Sequence, residues 1–118
     1  MNYYYITGTS SGIGEALAKT LLKDKNNKVI GISRSQTIEH ENYLHIPLDL
    51  SKTSNIRRFR FEKIQNAKKI VLINNAGQIG DIKYMGDINE GRAISAMTLN
   101  YIAPLILMNK FVKAYRKA

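Results

Sequence analysis

The amino-acid sequence predicts an α/β fold built on a doubly wound parallel sheet, and three observations predict it. Short apolar runs rich in aromatic and β-branched residues alternate with longer segments of helical periodicity. One run, Ile70-Val71-Leu72-Ile73, is continuously apolar, as a strand buried on both faces would be. The glycine- and asparagine-rich motifs all follow the ends of strands, where parallel sheets bind ligands.

Each element can be justified in turn. Tyr3-Tyr4-Tyr5-Ile6 is the first strand, ending in Thr7-Gly8. Ile13, Leu17 and Leu21 then recur every four residues with Ala16 beside them, which predicts a helix over 12–23. Residues 24–27 are turn material, and Lys28-Val29-Ile30-Gly31-Ile32-Ser33 is the second strand. A polar connection follows over 34–42 without helical periodicity. Tyr43-Leu44-His45-Ile46-Pro47-Leu48 is a third, short strand whose proline argues for a sheet edge. Ser54 is placed to cap a basic helix running to about Gln65, ahead of the Ile70 strand. After a loop to about Gly86, Asp87 and Glu90 have capping-box spacing. Ile94, Met97, Tyr101, Leu105, Met108 and Val112 then mark the apolar face of a long helix to the C-terminus.

Composition narrows the function. A length of 118 residues fits one domain, and the absence of cysteine excludes a disulfide scaffold, a thiolate zinc site and a cysteine nucleophile. The longest apolar run, Tyr101 to Met108, has 8 residues, well below the roughly 20 that cross a bilayer. No basic n-region precedes the first strand, so a cytoplasmic chain is expected. The net charge of +9 admits an anionic partner. Residues 52–69 carry seven basic side chains against one acid, Glu62. A solvated face is the plainer reading of that run, and a nucleic-acid surface is the alternative.

The first motif is Thr7-Gly8-Thr9-Ser10-Ser11-Gly12-Ile13-Gly14, directly after strand one and opening the first helix. Glycine lets the backbone turn tightly and approach a pyrophosphate without an intervening Cβ. The helix N-terminus supplies unpaired N–H donors to the same group. The spacing is G-x-x-x-G-x-G. With Asn74-Asn75-Ala76-Gly77 about 60 residues later, after the fourth strand, the chain resembles the short-chain dehydrogenase/reductase family. The flavour is that of the sepiapterin/benzil-type carbonyl reductases. The resemblance implies a Rossmann-like fold, a nicotinamide cofactor and hydride transfer between that cofactor and a small carbonyl or alcohol.

Within that resemblance, the end of strand two selects the cofactor. A carboxylate there would hold the ribose hydroxyls of NAD, but the sequence has Ser33-Arg34-Ser35, with Arg34 20 residues past Gly14. A guanidinium suits a 2′-phosphate. NADP(H) is therefore expected, with Arg34 as its reader and Ser33 or Ser35 assisting. Ser11 stands where many NADP-preferring relatives carry a second base. Asp49-Leu50 resembles the adenine-binding pair after strand three, with a turn cap for Asp49 as the alternative. Asn75, Ala76 and Gly77 are expected near the nicotinamide-side ribose, with asparagine amides also tying strand ends together. Asn100 matches the family's active-site asparagine. Pro104 has no N–H, so the carbonyl of residue 100 loses its helical partner and can hold an ordered water, which the resemblance implies joins a proton relay.

The family's chemistry also needs a serine and a Tyr-x-x-x-Lys pair, in which the tyrosine protonates the carbonyl oxygen. None of the seven tyrosines has a lysine four residues on. His40 and His45 have no partners at catalytic spacing. The resemblance stops where the family's fifth strand would begin. The chain is thus expected to be the N-terminal half of such a reductase, truncated after about four strands and the Asn100 helix. It is expected to bind cofactor, to be inactive alone, and to self-associate through the Ile70 strand's open edge or the Asn100 helix. A non-catalytic dinucleotide sensor is the second reading.

Overall fold

The computed structural model describes residues 1–80 and 83–116. Strands β1 (Asn2–Thr7), β2 (Asn27–Ser33), β3 (Tyr43–Pro47) and β4 (Lys69–Ile73) pair in parallel in the order β3-β2-β1-β4. Helix α1 (Gly12–Leu21) crosses from β1 to β2, and the short α2 (Thr53–Arg58) lies between β3 and β4. Helix α3 (Glu90–Met97) runs through a π-helical segment, Thr98–Ile102, into α4 (Ala103–Tyr115).

Strand alternation sorts the side chains onto two faces. On one, Ile6 and Val29 pack with Ala18 and Leu22 of α1 and with Ile38 of the β2–β3 connection. On the other, Tyr5, Ile30 and Ile32 pack with Ile56 of α2 and with Ala103 and Leu107 of α4. Buried Ile38 anchors the 34–42 connection to this face of the sheet without a helix. The proline-bearing strand β3 is an edge, as expected. Strand β4 is the other edge, and Ile70 to Ile73 are half-buried rather than covered on both faces.

Three sequence expectations are corrected. The basic helix ends at Arg58 instead of about Gln65, and Ser54 lies inside it rather than capping it. Phe59 turns extended, so that Phe59 and Phe61 enter an edge-to-face cluster with Tyr5, Phe111 and Tyr115. The Lys110 ammonium donates to the carbonyls of Ile56, Arg57 and Phe59 at 2.7–2.8 Å, satisfying the helix end. Second, Asp87 does not cap α3; Asn89 does, its Oδ1 accepting from the N–H of Arg92 at 3.0 Å. Asp87 is held in a turn by its own N–H, which donates to the Tyr84 carbonyl.

Third, the apolar face expected to enter the core points outward. Ile94, Met97, Tyr101, Leu105, Met108 and Val112 are 48–67% exposed. The buried side carries Ala96, Thr98, Ala103 and Leu107. The segment is apolar on two faces; small Ala103 lets α4 approach the sheet, and Ala96 lies against Gly80 in the loop after β4. The expected loop to Gly86 and the helix to the C-terminus include residues 81–82 and 117–118, which lie outside the described residues.

The aromatic cluster predicts a pH response. Tyr115 Oη donates to the Glu62 carbonyl at 2.6 Å, so Tyr5 Oη donates to Tyr115 Oη at 2.9 Å. Burial raises both phenol pKa values above 10. Above pH ~10 the unfolded chain sheds these protons first, so stability falls with rising pH. Urea midpoints measured from pH 8 to 11 are expected to drop above pH ~10, and the drop to shrink in Tyr115→Phe.

Candidate functional site

The site begins where β1 ends. Thr7 Oγ1 accepts from the N–H groups of both Asn75 and Ala76 at 2.9 Å, and Asn75 Nδ2 donates to the carbonyls of Thr7 and Gly8. These bonds tie the end of β4 to the end of β1. Gly8 has φ +73°, and a Cβ there would stand 3.0 Å from the Ala76 Cα. A Cβ on Gly14 would overlap the Gly8 carbonyl oxygen and the Asn75 amide. Both glycines are therefore required by the close packing of loop, α1 and β4 end.

Ser11 precedes α1 with extended backbone and forms no side-chain cap, so no capping side chain takes the first-turn N–H donors. In front of them opens a cleft of about 830 Å³, lined on this side by Gly8, Ser10, Ser11 and Ile13. Ser33 and Arg34 from the end of β2, Asp49 and Leu50 after β3, and Asn75, Ala76 and Gly77 after β4 also line it. The structure thus brings four separate sequence segments to one opening at the carboxyl ends of the strands.

Not every expected residue lines it. Thr9 is buried, its hydroxyl turned to Tyr43 Oη at 2.9 Å. Gly12 is exposed with φ +58°, and Gly14 is buried under Gly8. Ser35 lies outside the lining, its carbonyl accepting from Ser33 Oγ at 2.9 Å. That bond closes the turn from which exposed Arg34 projects.

Asp49 Oδ1 accepts from both the N–H and the hydroxyl of Ser51, at 3.0 and 2.6 Å. The turn-forming alternative for this residue is therefore realised while it still lines the cleft. The Ser51 hydrogen bond, with the Arg34 and Lys52 charges, holds its carboxyl below the usual carboxylate range. Leu50 is buried, joining the cleft wall to the core.

Asn100 lies in the π-helical segment, whose wider turn is marked by the Ala103 N–H bonding the Thr98 carbonyl five residues back. Its side chain clasps the backbone of Gln78: Oδ1 accepts from the N–H at 2.8 Å and Nδ2 donates to the carbonyl. A Cβ on Gly77 would meet Asn100 Oδ1 at 3.2 Å. Asn100 thus fixes the segment that leaves β4, and its side chain does not line the cleft.

Sequence reasoning missed Arg92, Ser95 and Leu99, which line the cleft from α3 and the π segment. Their spacing of three and four is a helical face, a signal hidden by the larger apolar residues beside it. His40 Nδ1 accepts from the Asn42 N–H in a local turn, while His45 bridges Tyr43 and the Ser33 carbonyl. The seven basic side chains of 52–69 are all exposed. Among the described residues no helix is long and apolar enough to cross a membrane, and no group of three His, Asp or Glu could hold a metal ion.

Comparison with known proteins agrees with this fold. The family model for short chain dehydrogenase matches residues 2–118. A benzil reductase ((S)-benzoin forming) of Bacillus cereus is 35% identical over 127 residues, covering 96% of this chain and 50% of that protein. The benzil reductase of Bacillus subtilis (strain 168) is 31% identical, covering 98% and 49%. Among solved structures, a short-chain dehydrogenase/reductase from Burkholderia vietnamiensis superimposes with a TM-score of 0.83 at 28% identity, covering 96% of this chain and 56% of that one. The chain spans about half the length of the curated relatives it matches.

Proposed function

This chain belongs to the short-chain dehydrogenase/reductase family, and from that premise we propose that it forms the cofactor-binding half of an NADP(H)-dependent oxidoreductase acting on a small carbonyl or alcohol. The observation that carries the reading is the convergence of uncapped α1 donors, the close-packed Gly8–Gly14 contact and the Arg34 turn on one cleft. When bound, the dinucleotide would supply hydride chemistry at its nicotinamide.

The residues present fit that group. The first-turn N–H groups of α1 and the Ser10 and Ser11 segment receive the pyrophosphate, favoured by the helix dipole. Arg34 would hold the 2′-phosphate, which suits the guanidinium's paired donors. Asp49, kept ionised at neutral pH, accepts from the adenine amino group through the oxygen that Ser51 leaves free. Ala76 and Gly77 present bare backbone beside the nicotinamide-side ribose. Asn100 holds the adjoining Gln78 backbone by its side chain, and in the whole enzyme it would organise the proton relay rather than act as acid or base.

Without a Tyr-x-x-x-Lys pair the chain binds cofactor but does not turn it over. Titration with NADPH and NADH at fixed ionic strength tests the reading. NADPH is expected to bind at least tenfold tighter, equivalent to ~1.4 kcal/mol. Equal affinities, or steeply salt-dependent duplex DNA binding in place of dinucleotide binding, would overturn it.

The exposed stripe from Ile94 to Val112 and the open edge of β4 are surfaces through which the chain self-associates. Sedimentation equilibrium is expected to show a dimer or larger species; its dissociation in the double variant Leu105→Glu, Met108→Glu would assign the contact to the stripe, and its persistence to the β4 edge. A concentration-independent monomer would contradict this.

A further inference from the structure

Gly31 sits in the middle of β2, where glycine weakens a strand unless something needs the space. A Cβ there would overlap the Tyr43 hydroxyl and Thr9 Oγ1. The glycine is therefore the gap through which a β3 side chain reaches across β2 to the loop after β1. Tyr43 Oη meets Thr9 Oγ1 at 2.9 Å and His45 Nδ1 at 3.1 Å. His45 Nε2 meets the Ser33 carbonyl at 3.1 Å.

The chemistry of the groups fixes the direction of this chain. A carbonyl only accepts, so His45 Nε2 carries the proton that goes to Ser33. In a neutral imidazole Nδ1 is then an acceptor and takes the Tyr43 O–H. The Tyr43 oxygen in turn accepts from Thr9. The Tyr43 phenol is protonated and a donor at neutral pH, and burial pushes its pKa further up. Every member is satisfied, and the two ends are not equivalent places. Thr9 is 1% exposed inside the glycine loop, and Ser33 closes the Arg34 turn through Ser35. The network joins the loops that follow the paired strands β1 and β2, both of which line the cleft.

We propose that Tyr43 and His45 are positioning residues that hold the glycine loop and the Arg34 turn at a set separation, so that the pyrophosphate and the 2′-phosphate of one dinucleotide are met together. The proposal rests on the cofactor reading above. It makes discrimination between phosphorylated and unphosphorylated dinucleotide depend on side chains that touch neither.

The test compares wild type, Tyr43→Phe and Thr9→Ser by NADPH and NADH titration, thermal melting and amide hydrogen exchange. Tyr43→Phe keeps the ring but deletes both hydroxyl contacts. It is expected to weaken NADPH about tenfold and NADH less than threefold, the loss of one or two neutral hydrogen bonds. Exchange at residues 8–12 and 33–35 should accelerate together. Thr9→Ser retains the hydroxyl and should keep the NADPH:NADH ratio and the joint loop protection that Tyr43→Phe loses, even where the deleted buried methyl lowers the melting temperature. In Tyr43→Phe, a lower melting temperature with an unchanged NADPH:NADH ratio and unchanged loop exchange would overturn the proposal. If wild type binds neither dinucleotide, the cofactor reading fails separately. Exchange then decides the brace: joint loosening of both loops supports it, and loosening of one or neither overturns it.

Discussion

Gly14→Ala is expected to destabilise the chain by about 3 kcal/mol and to abolish dinucleotide binding, the upper range of overpacking costs. The added methyl would overlap the carbonyl oxygen of Gly8 and the Asn75 amide. Backbone cannot rotate away as a flexible side chain can, so α1 must lift from the loop or the β4 end must withdraw. Either movement breaks the bonds by which Asn75 joins β1 to β4. Gly86→Ala is the control. Gly86 also has a positive φ, +102°, but a Cβ there meets nothing within 4 Å and the residue lies outside the cleft. It should cost only local backbone strain, roughly 1–2 kcal/mol, and leave binding intact. Urea denaturation and NADPH titration of both variants read the two effects separately.

Arg34→Asp should weaken NADPH by about 100-fold, ~3 kcal/mol, while NADH binding stays the same or improves. The guanidinium is exposed at the cleft mouth, so its charge is partly screened by solvent and salt. The larger part of the effect comes from the reversed charge. An aspartate at this turn repels a 2′-phosphate and accepts from ribose hydroxyls. It would also stand near Asp49, whose carboxyl is held down partly by the Arg34 charge. The Asp49 pKa should therefore rise in the variant. Dissociation constants for both nucleotides at two salt concentrations test this, since the NADPH loss should be smaller at high salt.

The strands and the cleft were legible in the sequence because their signals are local. A run such as Ile70-Val71-Leu72-Ile73 needs no tertiary context, and glycines at fixed steps after a strand announce a tight turn. What was not legible depends on choices between comparable packings. Ile56, Phe59 and Phe61 fit both a helical and an extended spacing, and the aromatic cluster with Phe111 and Tyr115 decided for extension. The 90–115 segment is apolar on two sides, so periodicity alone selected the one with the larger side chains. Ala96 and Ala103 face the protein instead, because small residues permit the closer approach. His45 looked inert by spacing, since its partners Tyr43 and Ser33 come together only when β3 lies beside β2. Thr9 looked like a cofactor contact by position, yet its side chain turns inward to Tyr43.

The most direct test of the account is to map NADP⁺ onto the ¹⁵N-labelled 118-residue chain by amide chemical-shift perturbation. The account predicts saturable shifts concentrated at residues 8–14, 33–35 and 75–77, with Arg34 and Ser33 responding to 2′,5′-ADP but not to 5′-ADP. Shifts centred on the basic stretch 52–69, or none at millimolar nucleotide, would contradict it.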